Sequence, residues 1–141
     1  MSWRNAQVVG ANVLLRAYFP DEAQLNAQAI VRDHAAGRVQ LKAPSLLLYG
    51  VSNAVWQAER RGRLTPDQTW QVMASIEGLQ IEILPLEWGE MLPLARRFEC
   101  SAYDTACLAL AHKLSEPLIT CDERLYHALH PHLDWVWWLD D

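Results

Sequence analysis

The sequence predicts an α/β domain built on a mainly parallel sheet, and two observations carry that prediction. Short apolar runs of strand length, each closed by Gly, Pro or charge, alternate with longer segments whose apolar residues recur at helical spacing. No repeat, low-complexity tract or Pro/Gly/Ser linker interrupts that alternation. Strands separated by helices return in the same direction, which is the pattern of a parallel sheet.

The elements follow in order. Gln7-Val-Val-Gly10, with Val13-Leu-Leu15 after it, reads as a buried strand running into a helix. Ala27, Ile30, Val31 and His34 make a helical stripe that ends near Gly37. Val39 to Lys42 is a short strand stopped by Pro44. From about Ser45 to Arg61 a long helix presents Leu48, Val51, Val55 and Ala58 on one face. Arg60 and Arg61 suit its negative pole, and Gly62 its end. Thr65, Pro66 and Gln68 spell a capped helix start, with Thr69, Val72, Met73 and Ile76 facing in and Gly78 closing. Gln80 to Leu84 alternates as a strand and is ended by Pro85. Trp88, Met91, Leu92 and Ala95 form another stripe, in which Pro93 predicts a kink or a restart. Ser101 opens a helix with Cys107, Leu110, Ala111 and Leu114 inward. Pro117-Leu-Ile-Thr120 is a strand, Asp122 starts a short helix, and Trp135 to Leu139 is a last strand.

Composition bounds the function. At 141 residues, 51% hydrophobic and 21% charged, the chain reads as one domain over residues 1–141 with a real core. No apolar run reaches the roughly 18 residues of a membrane span. Met1-Ser-Trp-Arg-Asn5 lacks a basic and greasy leader, and three cysteines, Cys100, Cys107 and Cys121, make no Cys-x-x-Cys pair. The expectation is a cytoplasmic protein without disulfides or a thiolate zinc site. A net charge of −5 argues against a broad nucleic-acid surface, though not against a small basic patch.

In parallel α/β sheets, ligands bind beyond the carboxyl ends of the strands. Asp122 directly follows such a strand, and Asp104 lies in the first turn of the preceding helix. Converging there, the two would suit Mg²⁺ or Mn²⁺. Each also has a purely structural reading: Ser101-Ala-Tyr-Asp104 is a capping pattern, and Asp122 is a natural N-cap. His127, His130 and His132 lack a recognised metal-ligand spacing. Arg60, Arg61 and Arg63, with Arg96 and Arg97, are phosphate-contact candidates, but complementing helix C-termini explains them better. Trp135, Trp137 and Trp138 suit either stacking or core. No Gly-rich phosphate loop, nucleophile elbow or activated thiol is present.

Five blocks then carry a resemblance: VVGANVLLRAYFPDE (Val8–Glu22), APSLLLYGVSNAVW (Ala43–Trp56), RRGRLTP (Arg60–Pro66), SAYDTACLALA (Ser101–Ala111) and PLITCDERL (Pro117–Leu125). In this order and spacing, which cover nearly the whole chain, they resemble the PIN domain family, in particular its VapC-like toxin branch. The resemblance implies a three-layer α/β/α fold with a mainly parallel central sheet of four to five strands. It also implies an endoribonuclease site whose four acids hold Mg²⁺ or Mn²⁺. Asp104 and Asp122 match the last two acids, whereas Gly10 and Gly50 stand at the first two. Asn12, Asn53 and Thr120 accompany those positions as supporting polar residues. With two of four carboxylates missing, the resemblance implies weak or absent metal binding and lost or strongly attenuated cleavage. Two alternatives stand beside that. One is an active nuclease using Asp104, Asp122 and a substitute acid, Glu59, Glu123 or Asp21 with Glu22; the other is a non-catalytic structural or partner-binding module. RNA, an antitoxin protein and a second copy of the chain are the implied partners, with Trp56, Trp70 or Trp88 as homodimer anchors.

Overall fold

The computed structural model describes residues 5–140. Five strands, β1 (Ala6–Val9), β2 (Gln40–Pro44), β3 (Glu82–Leu84), β4 (Leu118–Thr120) and β5 (Val136–Trp138), form one sheet in the order β3-β2-β1-β4-β5. Every pairing is parallel, and the register sets Val8 against Leu118 and Val9 against Ile119. Seven helices connect them: α1 (Ala11–Tyr18), α2 (Leu25–Ala35), α3 (Leu46–Arg60), α4 (Pro66–Gly78), α5 (Trp88–Phe98), α6 (Ala102–Leu114) and α7 (Glu123–Leu129).

The helices divide between the two faces of the sheet. Val9, Leu41 and Ile119 pack with Val13 and Leu14 of α1, Val31 of α2, Val51 and Val55 of α3 and Val72 of α4. Val8, Leu118 and Val136 pack instead with Leu108 and Leu110 of α6 and Leu129 of α7, and Leu94 and Phe98 of α5 join them. Adjacent residues of one strand point to opposite faces, so Val8 and Val9, both fully buried, each anchor a different helical layer. The result is the three-layer α/β/α arrangement. No helix among the described residues is long and apolar enough to cross a membrane.

Local chemistry explains the boundaries. Thr65 Oγ1 accepts from the Gln68 amide at 3.2 Å, and Gln68 Oε1 accepts from the Thr65 amide at 2.9 Å, completing the capping box. Gly62, just past α3, adopts φ +78°, a conformation that only glycine enters at little cost. Helix α5 departs from its expected stripe. Trp88 is 99% exposed and Leu92 points largely to solvent, while Leu94 and Phe98 meet the core, so its buried face is rotated from the one the spacing suggests. It runs as one helix through Pro93, without a restart.

One ion pair is set into the fold. Lys42 Nζ on β2 lies 2.7 Å from Glu116 Oε1 after α6, with both side chains about five-sixths covered, at 14% and 16% exposure. Glu116 Oε2 is buried with no hydrogen-bond partner. Removing the ammonium alone would strand this carboxylate away from water. Lys42→Met is therefore expected to cost about 3 kcal/mol in urea unfolding, and Lys42→Met with Glu116→Leu to recover most of it.

Candidate functional site

The parallel pairing of β1 with β4 at the sheet centre builds the site. Gly10 ends β1 and is the N-cap of α1, in an extended conformation (φ −99°, ψ 177°) open to any residue. Asp122 follows β4 as the N-cap of α7. Its Oδ1 accepts from the Leu125 amide at 3.2 Å, and its own amide donates to Thr120 Oγ1 at 3.1 Å. Asp104 sits in the first turn of α6, where its amide donates to Ser101 Oγ at 3.2 Å. Thr105, fully buried, ties that turn down by donating to the Ser101 carbonyl at 2.6 Å. Both acids are thus held by the capping of their own helices.

These elements enclose a cleft of about 300 Å³. Gly10, Asn12, Gly50, Asn53, Asp104, Thr120 and Asp122 all line it, so the two acids, the two glycines and the three supporting polar residues meet at one place. Much of the remaining wall is apolar, with Leu15 of α1, Leu47 of α3 and Ile119 of β4. The sequence gives no direct pointer to two further lining residues, Cys107 and Cys121. Their positions do carry a signal: Cys107 is one turn beyond Asp104 on α6, and Cys121 separates Thr120 from Asp122.

The electrostatics follow from that wall. Burial raises the Asp104 carboxyl above its ordinary value; the Ser101 hydrogen bond opposes the rise, the Asp122 charge adds to it and Arg124 offsets it. Burial, followed by the Asp104 charge, pushes the Cys107 thiol up to about 12, so it stays protonated and unreactive at neutral pH.

The glycines differ in the room behind them. A Cβ at Gly50 would stand 3.4 Å from the Ala11 Cβ, ordinary contact, whereas one at Gly10 would stand 3.3 Å from Cys107 Sγ and require the sulfur to yield slightly. Gly50 is inside α3, where it costs about 1 kcal/mol relative to Ala.

None of the substitute acids lines the cleft. Asp21 and Glu22 are engaged by Arg63 at 2.9 and 2.8 Å. Glu123 projects to solvent 3.7 Å from His127. Among the described residues, no three His, Cys, Asp or Glu side chains gather as a metal site. Two carboxylates facing two glycines do not fit the octahedral oxygen cage of a hydrolytic Mg²⁺ or Mn²⁺.

A parallel β3-β2-β1-β4-β5 sheet between two helical layers, with Asp122 just past the carboxyl end of β4 and Asp104 in the first turn of α6, is consistent with a PIN-like fold. No family model matches the chain. It is 27% identical over 122 residues to Ribonuclease VapC3 of Pyrobaculum aerophilum, spanning 84% of this chain and 90% of that protein. The crystal structure of PAE2754 from Pyrobaculum aerophilum shares the fold, with a TM-score of 0.68 over 99% of this chain and 87% of the other at 18% identity. Both similarities support a VapC-like PIN domain, the first in sequence and the second in fold.

A carboxyl raised by burial opposes folding once it ionises. Asp104 therefore contributes most favourably below the unfolded carboxylate pKa of about 3.9, and that contribution is lost as pH rises through its higher folded value. Asp104→Asn is expected to raise the thermal midpoint at pH 7 and to leave it unchanged near pH 3, as read by calorimetry at both pH values.

Proposed function

We propose that this chain is a PIN-domain protein of the VapC ribonuclease lineage whose metal-dependent cleavage of RNA is lost or strongly attenuated. The observation that carries the proposal is that Gly10 and Gly50 line the same cleft as Asp104 and Asp122. In metal-assisted phosphodiester hydrolysis, carboxylates both hold the cation and orient the attacking water. A pair of Asp side chains carries a formal charge of −2 and leaves most of a hard cation's coordination to water.

What this site retains is a shaped receptacle. Asn12 and Asn53 offer amides at its mouth, and Thr120 holds the turn that presents Asp122. Such a cleft can still receive RNA or a protein partner, including an antitoxin, without turning substrate over. The alternative of an active nuclease with a borrowed acid requires Glu59, Glu123 or Asp21 to enter the cleft, and Asp21 would first have to leave Arg63.

Cleavage of a fluorogenic oligoribonucleotide with Mn²⁺ tests the proposal, alongside calorimetric titration of the metal. The natural chain is expected to bind Mg²⁺ at about millimolar or weaker and to cleave barely above background. Gly10→Asp with Gly50→Glu, in a Cys107→Ala background that frees the space behind position 10, is expected to raise cleavage by about two orders of magnitude or more. Either acid alone should do much less, because such acids act as a unit. Robust cleavage by the natural chain that Asp104→Ala abolishes would overturn the proposal.

The same reading includes a two-fold homodimer. Trp56, Trp70 and Trp88 are 52%, 74% and 99% exposed, more aromatic surface than a monomer ordinarily leaves wet. Multi-angle light scattering at tens of micromolar is expected to give twice the 16.1 kDa chain mass, and Trp56→Lys with Trp70→Lys to shift it toward one chain.

A further inference from the structure

A second cavity of about 300 Å³ lies beside the acidic cleft, between α1 and the end of α3. The two share Asn12, Leu15 and Ala54 in their walls, so they form one continuous depression. The second lobe has the opposite chemistry. Its polar wall is Asn12, Arg16, Glu22, Gln57, Arg61 and Arg63.

Arg63 is fixed in place. Its Nε donates to Asp21 Oδ2 at 2.9 Å, and its Nη2 donates to Asp21 Oδ1 at 3.0 Å and Glu22 Oε2 at 2.8 Å. Its guanidinium also lies over the Phe19 ring, 5.1 Å from the centroid. Those bonds consume the Nε hydrogen and both Nη2 hydrogens, which leaves the two Nη1 hydrogens as an oriented donor pair. They also engage Glu22, the one carboxylate on the wall. Arg16 and Arg61 enter no ion pair among the described residues. Gln57 accepts from Arg60 through Oε1 at 3.2 Å, so its amide nitrogen remains a donor. Three guanidiniums against Asp21 and Glu22 leave a local positive surplus in a chain of net charge −5.

We infer that this basic lobe is a phosphate subsite that holds the backbone of a single-stranded RNA lying across the depression. The inference rests on the lineage reading for its choice of RNA, and not on the loss of cleavage. Planar guanidiniums with free paired N–H groups match phosphate oxygens. Beside a phosphate seated there, the uncharged sugar and base would meet the apolar wall of the neighbouring cleft. An acidic peptide would instead bring further carboxylates toward Asp104 and Asp122, with no uncharged segment required between them. The arginine at the end of α3 thus has a ligand as well as a helix pole to serve.

Fluorescence anisotropy with a labelled octauridylate, in EDTA so that no cleavage intervenes, tests the subsite. Arg16→Gln with Arg61→Gln is expected to weaken binding about tenfold or more and to lower the log–log salt slope by about 0.7 for each phosphate no longer neutralised. Arg61→Lys, which keeps the charge at the helix end but not the fork, should weaken it less. Arg96→Gln with Arg97→Gln removes the same charge from α5, in the opposite helical layer, and should leave affinity and slope unchanged. Oligonucleotides with 5′-hydroxyl and 5′-phosphate ends should bind alike; binding only of the phosphorylated end, or of inorganic phosphate alone, would overturn the backbone assignment. Equal losses in the two double variants, no binding of the octauridylate, or binding of an acidic peptide in its place would overturn the subsite altogether. Because cleavage is not the readout, such a failure leaves the attenuated-nuclease reading to be judged by its own assay.

Discussion

The parallel pairing of β1 with β4 is the constraint on which the rest of this molecule depends. Val9 against Ile119 sets the two strand ends level, so Gly10 and Asp122 emerge at the same edge of the sheet. Because Val8 and Val9 are buried on opposite faces, a slip of one residue would exchange the residues facing the two helical layers and disrupt both cores together. The position of the cleft is thereby guaranteed by packing energy and not by its occupants. The outline of the cleft therefore does not depend on carboxylates within it, and Asp104 and Asp122 are placed by the first turns of the helices that carry them.

The same independence explains how much of the molecule is legible in its sequence. Each strand is visible as a short apolar run, and α4 is announced by Thr65, Pro66 and Gln68, whose hydrogen bonds depend only on local sequence. The meeting of Gly10, Gly50, Asp104 and Asp122 is what the family resemblance implies; strand-end convergence accounts for Gly10 and Asp122, whereas Gly50 and Asp104 come from α3 and α6. Features that depend on long-range packing are not legible. The spacing misplaces the stripe on α5 because Trp88 and Leu92 are apolar yet find no layer above them, and Leu94 and Phe98 take the contact instead. Nor does the sequence reveal that Cys107 lies under Gly10, or that Arg16 from α1 joins Arg61 and Arg63 around one cavity. Those juxtapositions arise between elements far apart in the chain, and spacing within one element carries no trace of them.

Opposite charges stand side by side along the depression. The acidic lobe is fed by α6 and α7, whose N-terminal turns carry Asp104 and Asp122; the basic lobe is closed by the end of α3 and the turn after it, which carry Arg61 and Arg63. Each charge therefore lies at the helix pole that favours it. Backbone dipoles at either end favour the charge placed there and offset part of its burial cost. It also gives any bound polymer a direction, because its anionic groups are welcome at one end of the depression and repelled at the other.

The sulfur of Cys107 beneath Gly10 makes the two glycine positions unequal. A Cβ at position 50 would meet only ordinary contact with Ala11, so an acid could be placed there by a single substitution with little disturbance of its neighbours. Position 10 is less forgiving, since any side chain must first displace a thiol that now fills part of the floor. The two positions would therefore accept an acid unequally. A side chain at position 10 is coupled to the one at position 107, whereas position 50 is free of that coupling, so the order in which such substitutions are made decides how much packing is disturbed along the way.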